Sequence, residues 1–248
     1  MHIDPIEMTI RSKDGVQRRR IAIGSAAGAR YALRDVAAMR RTLDDMLARG
    51  LAGTKTNPAI CRFGRYLLTQ SGVIEVQGPL TGGEGEVVAI RDGEEILISV
   101  GGDQSDRELD PVFPDKPKQM CPHPIATVGW PYAEVRGHWD DLRIYSHVVA
   151  GGHTVTLQDG PISSLVDLEF LLAMDAVRAA PDPMFLYCGA APFLDSVGET
   201  VGGLRLPEET AEGVGEAFFV RLHDPVLGRT IEHGYRVVPL GDDLAERR

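Results

Sequence analysis

Apolar and polar positions alternate with a strand period along most of this chain, and two stretches carry a helix period instead. Residues 8–11 and 20–23 predict an N-terminal hairpin turned at Lys13-Asp14-Gly15. Val36, Met39, Leu43, Met46 and Leu47 recur at three- and four-residue spacing, which predicts an amphipathic helix with Gly50 just past its end. Residues 51–61 lose any period, with Asn57-Pro58 as a turn signal. Residues 66–69 and 73–77 read as strands flanking Gln70-Ser71-Gly72. Residues 84–90 and 95–100 read as a hairpin around Arg91-Asp92-Gly93-Glu94, followed by a Gly-rich turn over residues 101–107. Residues 110–124 are Pro-rich and read as a loop. Residues 142–149 and 153–157 predict another hairpin. A second helix is expected from about Ser164 to Ala179, with Ser164 and Asp167 as a variant capping box. Residues 184–187 read as a short buried strand and residues 216–222 and 230–238 as a closing hairpin. Residues 244–248 read as a frayed tail.

Many strands and two helices, without βαβ alternation, predict an α+β, mainly β fold. No repeat, low-complexity tract or linker interrupts the chain, so residues 1–248 are expected to form a single domain. Within it, residues 1–33 form an N-terminal hairpin segment and residues 34–240 the core. The 248 residues are ample for that core. The net charge of −10, from 26 basic and 36 acidic residues, argues against a nucleic-acid partner. The three cysteines, Cys61, Cys121 and Cys188, are far apart and lack zinc spacing, as expected of free thiols in a reducing compartment. The first residues lack a signal-peptide pattern, and no apolar run approaches the roughly 20 residues of a membrane helix. The expectation is a soluble cytoplasmic protein that binds neither membrane nor nucleic acid.

Candidate chemistry centres on Glu84-Gly85-Glu86. On a strand these two carboxylates share one face. An exposed face would leave them simply solvated. Yet Val87, Val88, Ala89 and Ile90 are apolar on both faces, and a strand covered on both sides must neutralise its acids, which a cation does. Asp103 or Asp106 can add a third carboxylate, and spacing alone does not choose between them. Three oxygen ligands without His or Cys suit Mg²⁺, Mn²⁺ or Ca²⁺. The same two aspartates can instead cap turn amides. Arg107 is a candidate anion anchor. Lys118 is either a solvated loop residue or a group that stabilises a developing oxyanion. His138, beside Trp139-Asp140-Asp141, is the best acid/base candidate by residue type, or a structural partner of an aspartate. His123 is a weaker candidate of the same kind. No GxSxG elbow is present, which disfavours covalent acyl chemistry.

Taken in order, these pieces resemble the fumarylacetoacetate hydrolase superfamily. Its pattern is an ExE strand, a turn carrying Asp then Arg, a Lys, a GTP-containing strand exit and a terminal β-hairpin. Glu84-Gly85-Glu86 matches ExE, residues 103–107 resemble the turn, and Lys118 falls where the substrate lysine is expected. Tyr187-Cys188-Gly189-Ala190-Ala191-Pro192 stands in for the GTP segment, and residues 216–238 resemble the closing hairpin. The Gly-Gly-Glu-x-Glu run, Lys-Gln-Met-Cys and His-Trp-Asp also look like a divergent bacterial group of uncharacterised proteins related to that superfamily. The resemblance spans about residues 35–240.

It implies a mixed β-roll of the fumarylacetoacetase C-terminal type with a few helices, and a homodimer. It implies Mg²⁺ or Mn²⁺ held by Glu84, Glu86 and Asp103, with a small 2-oxo acid or similar enolisable carboxylate as substrate. Arg107 and Lys118 would hold substrate charge, and Lys118 and His138 would serve catalysis. A hydrolase or lyase reaction through a metal-stabilised enolate follows. Three departures bear on the reaction. Ala190 stands in the region of the family threonine. No His lies between Ile3 and Pro122, where hydrolases of this type keep a catalytic one. Gln104 stands where the closer group is expected to carry His. They motivate two other readings: a non-catalytic binding or assembly subunit that keeps the fold, and a metal-free hydrolase using His138 and an Asp.

Overall fold

Residues 81–106 form one long β-ribbon, and the other elements are arranged around it in this computed structural model. The structure describes residues 3–78, 80–194 and 216–241. The chain opens with β1 (Ile6–Ser12), β2 (Gly15–Ile21) and β3 (Ser25–Arg30), then α1 (Val36–Ala48). Next come β4 (Ala59–Phe63), β5 (Leu68–Thr69), β6 (Val73–Val76), and the ribbon strands β7 (Thr81–Asp92) and β8 (Glu95–Asp106). α2 (Lys116–Gln119), β9 (His123–Pro124), β10 (Val128–Pro131) and α3 (Tyr132–Val135) lead to β11 (Arg143–Ala150) and β12 (His153–Pro161). α4 (Leu168–Ala173), α5 (Asp175–Arg178), β13 (Met184–Ala190), β14 (Ala217–Asp224) and β15 (Arg229–Pro239) complete the order.

Among the described residues an eight-stranded sheet runs β2-β1-β10-β8-β7-β13-β3-β4, and a five-stranded sheet runs β12-β11-β14-β15-β6. A short parallel pair joins β5 to β9. The large sheet is mixed: β1–β10 and β3–β13 are parallel, and β7 is antiparallel to both its neighbours. Side chains alternate across β7. Val87 and Ala89 pack against Ile144, Val220 and Leu222 of the five-stranded sheet. Val88 and Ile90 face the other way, into a cluster with Met8 of β1, Phe185 of β13 and Phe63 of β4. That cluster draws on strands near both edges of the same sheet, so the sheet is rolled. β7 is thus covered on both faces, as its unbroken apolar run requires.

The hairpins follow the sequence expectations, with Lys13-Asp14 and Gly93 at their turns. α1 buries Met39, Leu43 and Met46, and Asp35 caps it by accepting from the Ala38 amide. Residues 65–67 form a tight helical turn where a strand is expected, and α2 and β9 fall within the stretch read as a loop; two larger expectations also fail. Residues 101–106 are not a turn; they continue β8 and stay paired with β7 as far as Thr81–Asp106. The helix expected over residues 164–179 is broken. Leu165 bridges Leu33, and Val166 donates to the Ala32 carbonyl, so this part is extended. Asp167 binds Arg34 at 2.9 Å instead of pairing with Ser164 in a capping box. Met174 (ψ 135°) then separates α4 from α5. The tail over residues 244–248 lies outside the described residues.

A buried carboxylate closes the β14–β15 turn. Asp224 Oδ1 accepts from the Val226 and Leu227 amides at 3.1 and 3.0 Å, and its Oδ2 accepts from Arg229 Nε at 3.2 Å. Burial pushes this carboxyl up, but the Leu227 amide, His138 and Arg229 together hold it below the ordinary carboxylate range. A lowered carboxyl stabilises the fold above its unfolded pKa of about 4, and that contribution vanishes as pH falls through the folded value. Asp224→Asn should therefore cost about 2 kcal/mol near neutrality, or roughly 4–8 °C in Tm. The gap should close in acid. Thermal unfolding at neutral and at acidic pH checks this, and a gap that does not change with pH would contradict it.

Candidate metal centre

The register of the ribbon builds the site. Glu84 pairs directly with Asp103 across the β7–β8 ladder, and Glu86 lies two residues along on the same face. One carboxylate oxygen from each of Glu84, Glu86 and Asp103 falls within 4.8 Å of the others. Glu86 and Asp103 are buried, at 1% and 0% exposure, and Glu84 is half-buried. Asp106, the other aspartate the sequence left open, turns away and caps the Glu108 and Leu109 amides at 2.9 and 3.0 Å.

Three neighbouring segments close over the carboxylates. In β13 the pairing with β7 slips between Tyr187 and Ala190. Gly189 there adopts φ +97°, a conformation open to glycine, and its amide donates to Glu86 Oε2 at 2.7 Å. This is the segment matched above to the family's strand exit. From β3, Gly28 lies against the site: a Cβ on it would stand 3.3 Å from Asp103 Oδ2 and 3.5 Å from Lys118 Cδ. From α2, Lys118 reaches in with its side chain 3% exposed, and its ammonium contacts Asp103 Oδ2.

Two guanidinium groups flank Glu84. Arg107 Nη2 lies 3.4 Å from Glu84 Oε1 and 3.2 Å from the Gly82 carbonyl, while its Nη1 binds Asp110 at 3.1 Å. Arg30, at the end of β3, binds the other Asp110 oxygen at 2.6 Å. Asp110 is therefore shared by two arginines. Burial pushes the Glu84 carboxyl up, but Arg107, Lys118 and Arg30 outweigh it and hold the group below its ordinary value. Burial lifts Glu86 to about 7 against the pull of Lys118, with Glu84 adding to the rise. Burial also lowers the Lys118 ammonium, opposed by Glu86 and Glu84.

Glu86 Oε1 is buried and accepts no hydrogen bond among the described residues, and the buried Asp103 oxygens meet only the Lys118 ammonium at Oδ2 and His123 Nδ1 at Oδ1. Buried carboxylate oxygens left this way are costly unless a cation completes them. The donor set is all oxygen, which fits a hard divalent cation.

His123 and Arg30 were not singled out as part of this group by sequence, or only weakly. His123 stacks on Phe63 at 3.8 Å between ring centres. Its Nε2 donates to the Lys118 carbonyl at 2.7 Å and its Nδ1 stands 3.0 Å from Asp103 Oδ1. Burial lowers the ring to about 3, so it is neutral. No sequence signal marks Arg30, because its role depends on the parallel pairing of β3 with a strand over 150 residues later. His138 is placed elsewhere. Its Nε2 lies 3.0 Å from Asp224 Oδ1, on the strand packed behind β7, whereas the carboxylates face the other way.

The chain has the mixed β-roll fold expected from its resemblance to the fumarylacetoacetate hydrolase superfamily, and it shares that fold with solved structures. The chain belongs to the family described as a protein of unknown function, DUF2848, whose model matches residues 29–235. Among solved structures, Cg1458 superposes with a TM-score of 0.59 at 12% identity, covering 91% of this chain and 80% of that one. A 2-keto-3-deoxyarabinonate dehydratase gives 0.59 at 16% identity, covering 91% and 78%. A further structure of that dehydratase is complexed with magnesium and 2,5-dioxopentanoate. The 2-hydroxyhepta-2,4-diene-1,7-dioate isomerase from Mycobacterium marinum gives 0.56 at 13% identity, covering 96% and 100%. No curated protein matches the sequence. Among the described residues no helix is long and apolar enough to cross a membrane.

Proposed function

We propose that this protein is a divalent-metal-dependent enzyme, a hydrolase or lyase acting on a small 2-oxo acid or similar enolisable carboxylate. The observation that carries the reading is the convergence of Glu84, Glu86 and Asp103 with a buried lysine beside them. The named chemistry of two neighbours supports it: one processes a 2-keto acid and is seen with magnesium, the other isomerises a hydroxydienedioate. Glu84, Glu86 and Asp103 would hold Mg²⁺ or Mn²⁺. When bound, such a cation polarises a 2-oxo group and favours its enolate. Lys118 places a buried ammonium beside that position, suited to hold developing oxyanion charge and to exchange a proton with the substrate carbon. Arg107, braced by Asp110, fixes Glu84 and offers positive charge to a substrate carboxylate. The proton falls to Lys118 in this reading because His138 is engaged by Asp224 behind the ribbon. As a homodimer, the protein would present two such sites.

The test is a panel of 2-oxo acids incubated with the protein and Mn²⁺ or Mg²⁺, followed by loss of substrate. Turnover of at least one acid, abolished by EDTA and restored by added metal, is expected. Full activity in EDTA would favour the metal-free hydrolase. Metal binding without turnover of any acid would favour a non-catalytic binding subunit, consistent with Ala190 in place of the family threonine.

A further inference from the structure

The rear of the ribbon that carries the three carboxylates is as unusual as its front. Behind Glu84, Glu86 and Asp103 lie Gly83, Gly85, Gly102 and Gln104, paired in register. Three glycines side by side bring the five-stranded sheet into contact with the ribbon backbone. A Cβ on Gly85 would stand 2.8 Å from Gln158 Oε1, and one on Gly102 would stand 2.2 Å from the Tyr235 hydroxyl. Gln158 of β12 is fully buried and all its polar atoms are engaged. Its Oε1 accepts from the Gly85 amide at 2.8 Å and from Ser146 Oγ at 2.6 Å. Its Nε2 donates to the Gly85 carbonyl at 3.2 Å and the Ala191 carbonyl at 2.9 Å.

Gly85 sits one residue past the last β7–β13 pair, Glu86–Ala190, where β13 ends and β7 loses that partner. One side-chain amide there replaces a strand, satisfying both main-chain groups of the residue between the two glutamates. It also ties down Ala191, two residues past the Gly189 amide that binds Glu86. The Gly85 amide, which can only donate, and the Gly85 and Ala191 carbonyls, which can only accept, fix which way the side-chain amide points, and the Ser146 hydroxyl adds a second donor to its oxygen.

We infer that Gln158, braced by Ser146, is a positioning residue that sets the spacing and facing of Glu84 and Glu86 as metal ligands. The inference rests on the metal reading proposed above. Gln158 touches no ligand oxygen; it acts through the Gly85 backbone on one side and through Ala191 on the other. Groups that orient ligands in this indirect way commonly change metal affinity by about 10–100-fold when removed.

The test is a Mn²⁺ titration of wild type, Gln158→Met and Ser146→Ala, paired with amide hydrogen exchange in the absence of metal. Gln158→Met keeps the side chain's length and removes its hydrogen bonds. It should weaken Mn²⁺ binding by about 10–100-fold and speed exchange at Gly85 selectively. Ser146→Ala, a milder change that keeps the fold if Gln158→Met does not, should weaken binding by a smaller factor of roughly 2–10, a fraction of the full effect. Val177→Ala, a cavity in the same hydrophobic cluster beside Arg91 at the far end of β7 from Gly85, controls for lost stability and should keep wild-type affinity. Wild-type affinity in folded Gln158→Met, or in Ser146→Ala if the first variant does not fold, would overturn the positioning role and leave the metal reading standing. An equal loss in Val177→Ala would overturn it too. Wild-type protein that binds no Mn²⁺ would overturn the metal reading itself, and the positioning role with it.

Discussion

Glu86→Gln should remove most of the stabilisation that Mn²⁺ or Mg²⁺ gives this protein, without making the metal-free protein less stable. Ligand binding to the folded state alone contributes about 4 kcal/mol at free metal near 1,000 times Kd. For a chain of this size that corresponds to a Tm rise of roughly 8–16 °C. Glutamine preserves the shape of Glu86 and still offers an oxygen to the Gly189 amide. It lacks the charge that binds the cation, so most of the rise should disappear. The metal-free comparison has the opposite sign. Burial raises the Glu86 carboxyl to about 7, so ionising it costs stability as pH climbs from the ordinary carboxylate value towards 7. A neutral amide escapes that cost, and Lys118 retains Asp103 and Glu84 as partners. Differential scanning calorimetry with and without metal, near neutral pH, reads both quantities. A Glu86→Gln protein with the full metal-induced shift would remove Glu86 from the ligand set.

Glu84 and Glu86 were legible as a pair because strand alternation puts residues two apart on one face. The third carboxylate of the group was harder. Gly101 and Gly102 look like turn formers, and only the ladder reveals that they are strand residues. Gly102 is small because the Tyr235 hydroxyl occupies the place of a Cβ, and Gly101 because the Pro124 carbonyl stands 2.5 Å from that place. Glycine marks close backbone approach as readily as a turn, and local sequence does not distinguish the two. Hairpins were legible for the converse reason: their partners are adjacent in sequence and their turns carry glycine, as Asp14-Gly15, Asp92-Gly93 and Gly151-Gly152 do. The helix expected over residues 164–179 failed because residues 164–166 are claimed by the extended segment at residues 32–34, through contacts no local pattern contains. Arg30, Gly28 and Gln158 reach the site through pairings between distant parts of the chain, and each looks ordinary where it stands in the sequence.

The charge at the site gives the second large effect, and it concerns Lys118. Four carboxylates lie together here, Glu84, Glu86, Asp103 and Asp110, against Lys118, Arg30 and Arg107. The two arginines are committed to Asp110 and Glu84, so Lys118 is the cation that contacts Asp103. Lys118→Met keeps the apolar length of the side chain and leaves Asp103 and Glu86 without their ammonium. Removing one member of a buried ion pair typically costs about 3–5 kcal/mol. Metal-free Lys118→Met should therefore melt roughly 6–20 °C below wild type. Added Mn²⁺ should raise its Tm by more than it raises that of wild type, because a divalent cation now neutralises carboxylates that no ammonium already serves. Turnover should be lost even with metal bound, since the methionine neither holds an oxyanion nor moves a proton. Paired calorimetry and metal titration distinguish this from simple damage to the core: a packing defect would lower Tm equally with and without Mn²⁺. An unchanged metal-free Tm would mean that Lys118 does not carry the charge balance of the site, and the role proposed for its ammonium would then fail.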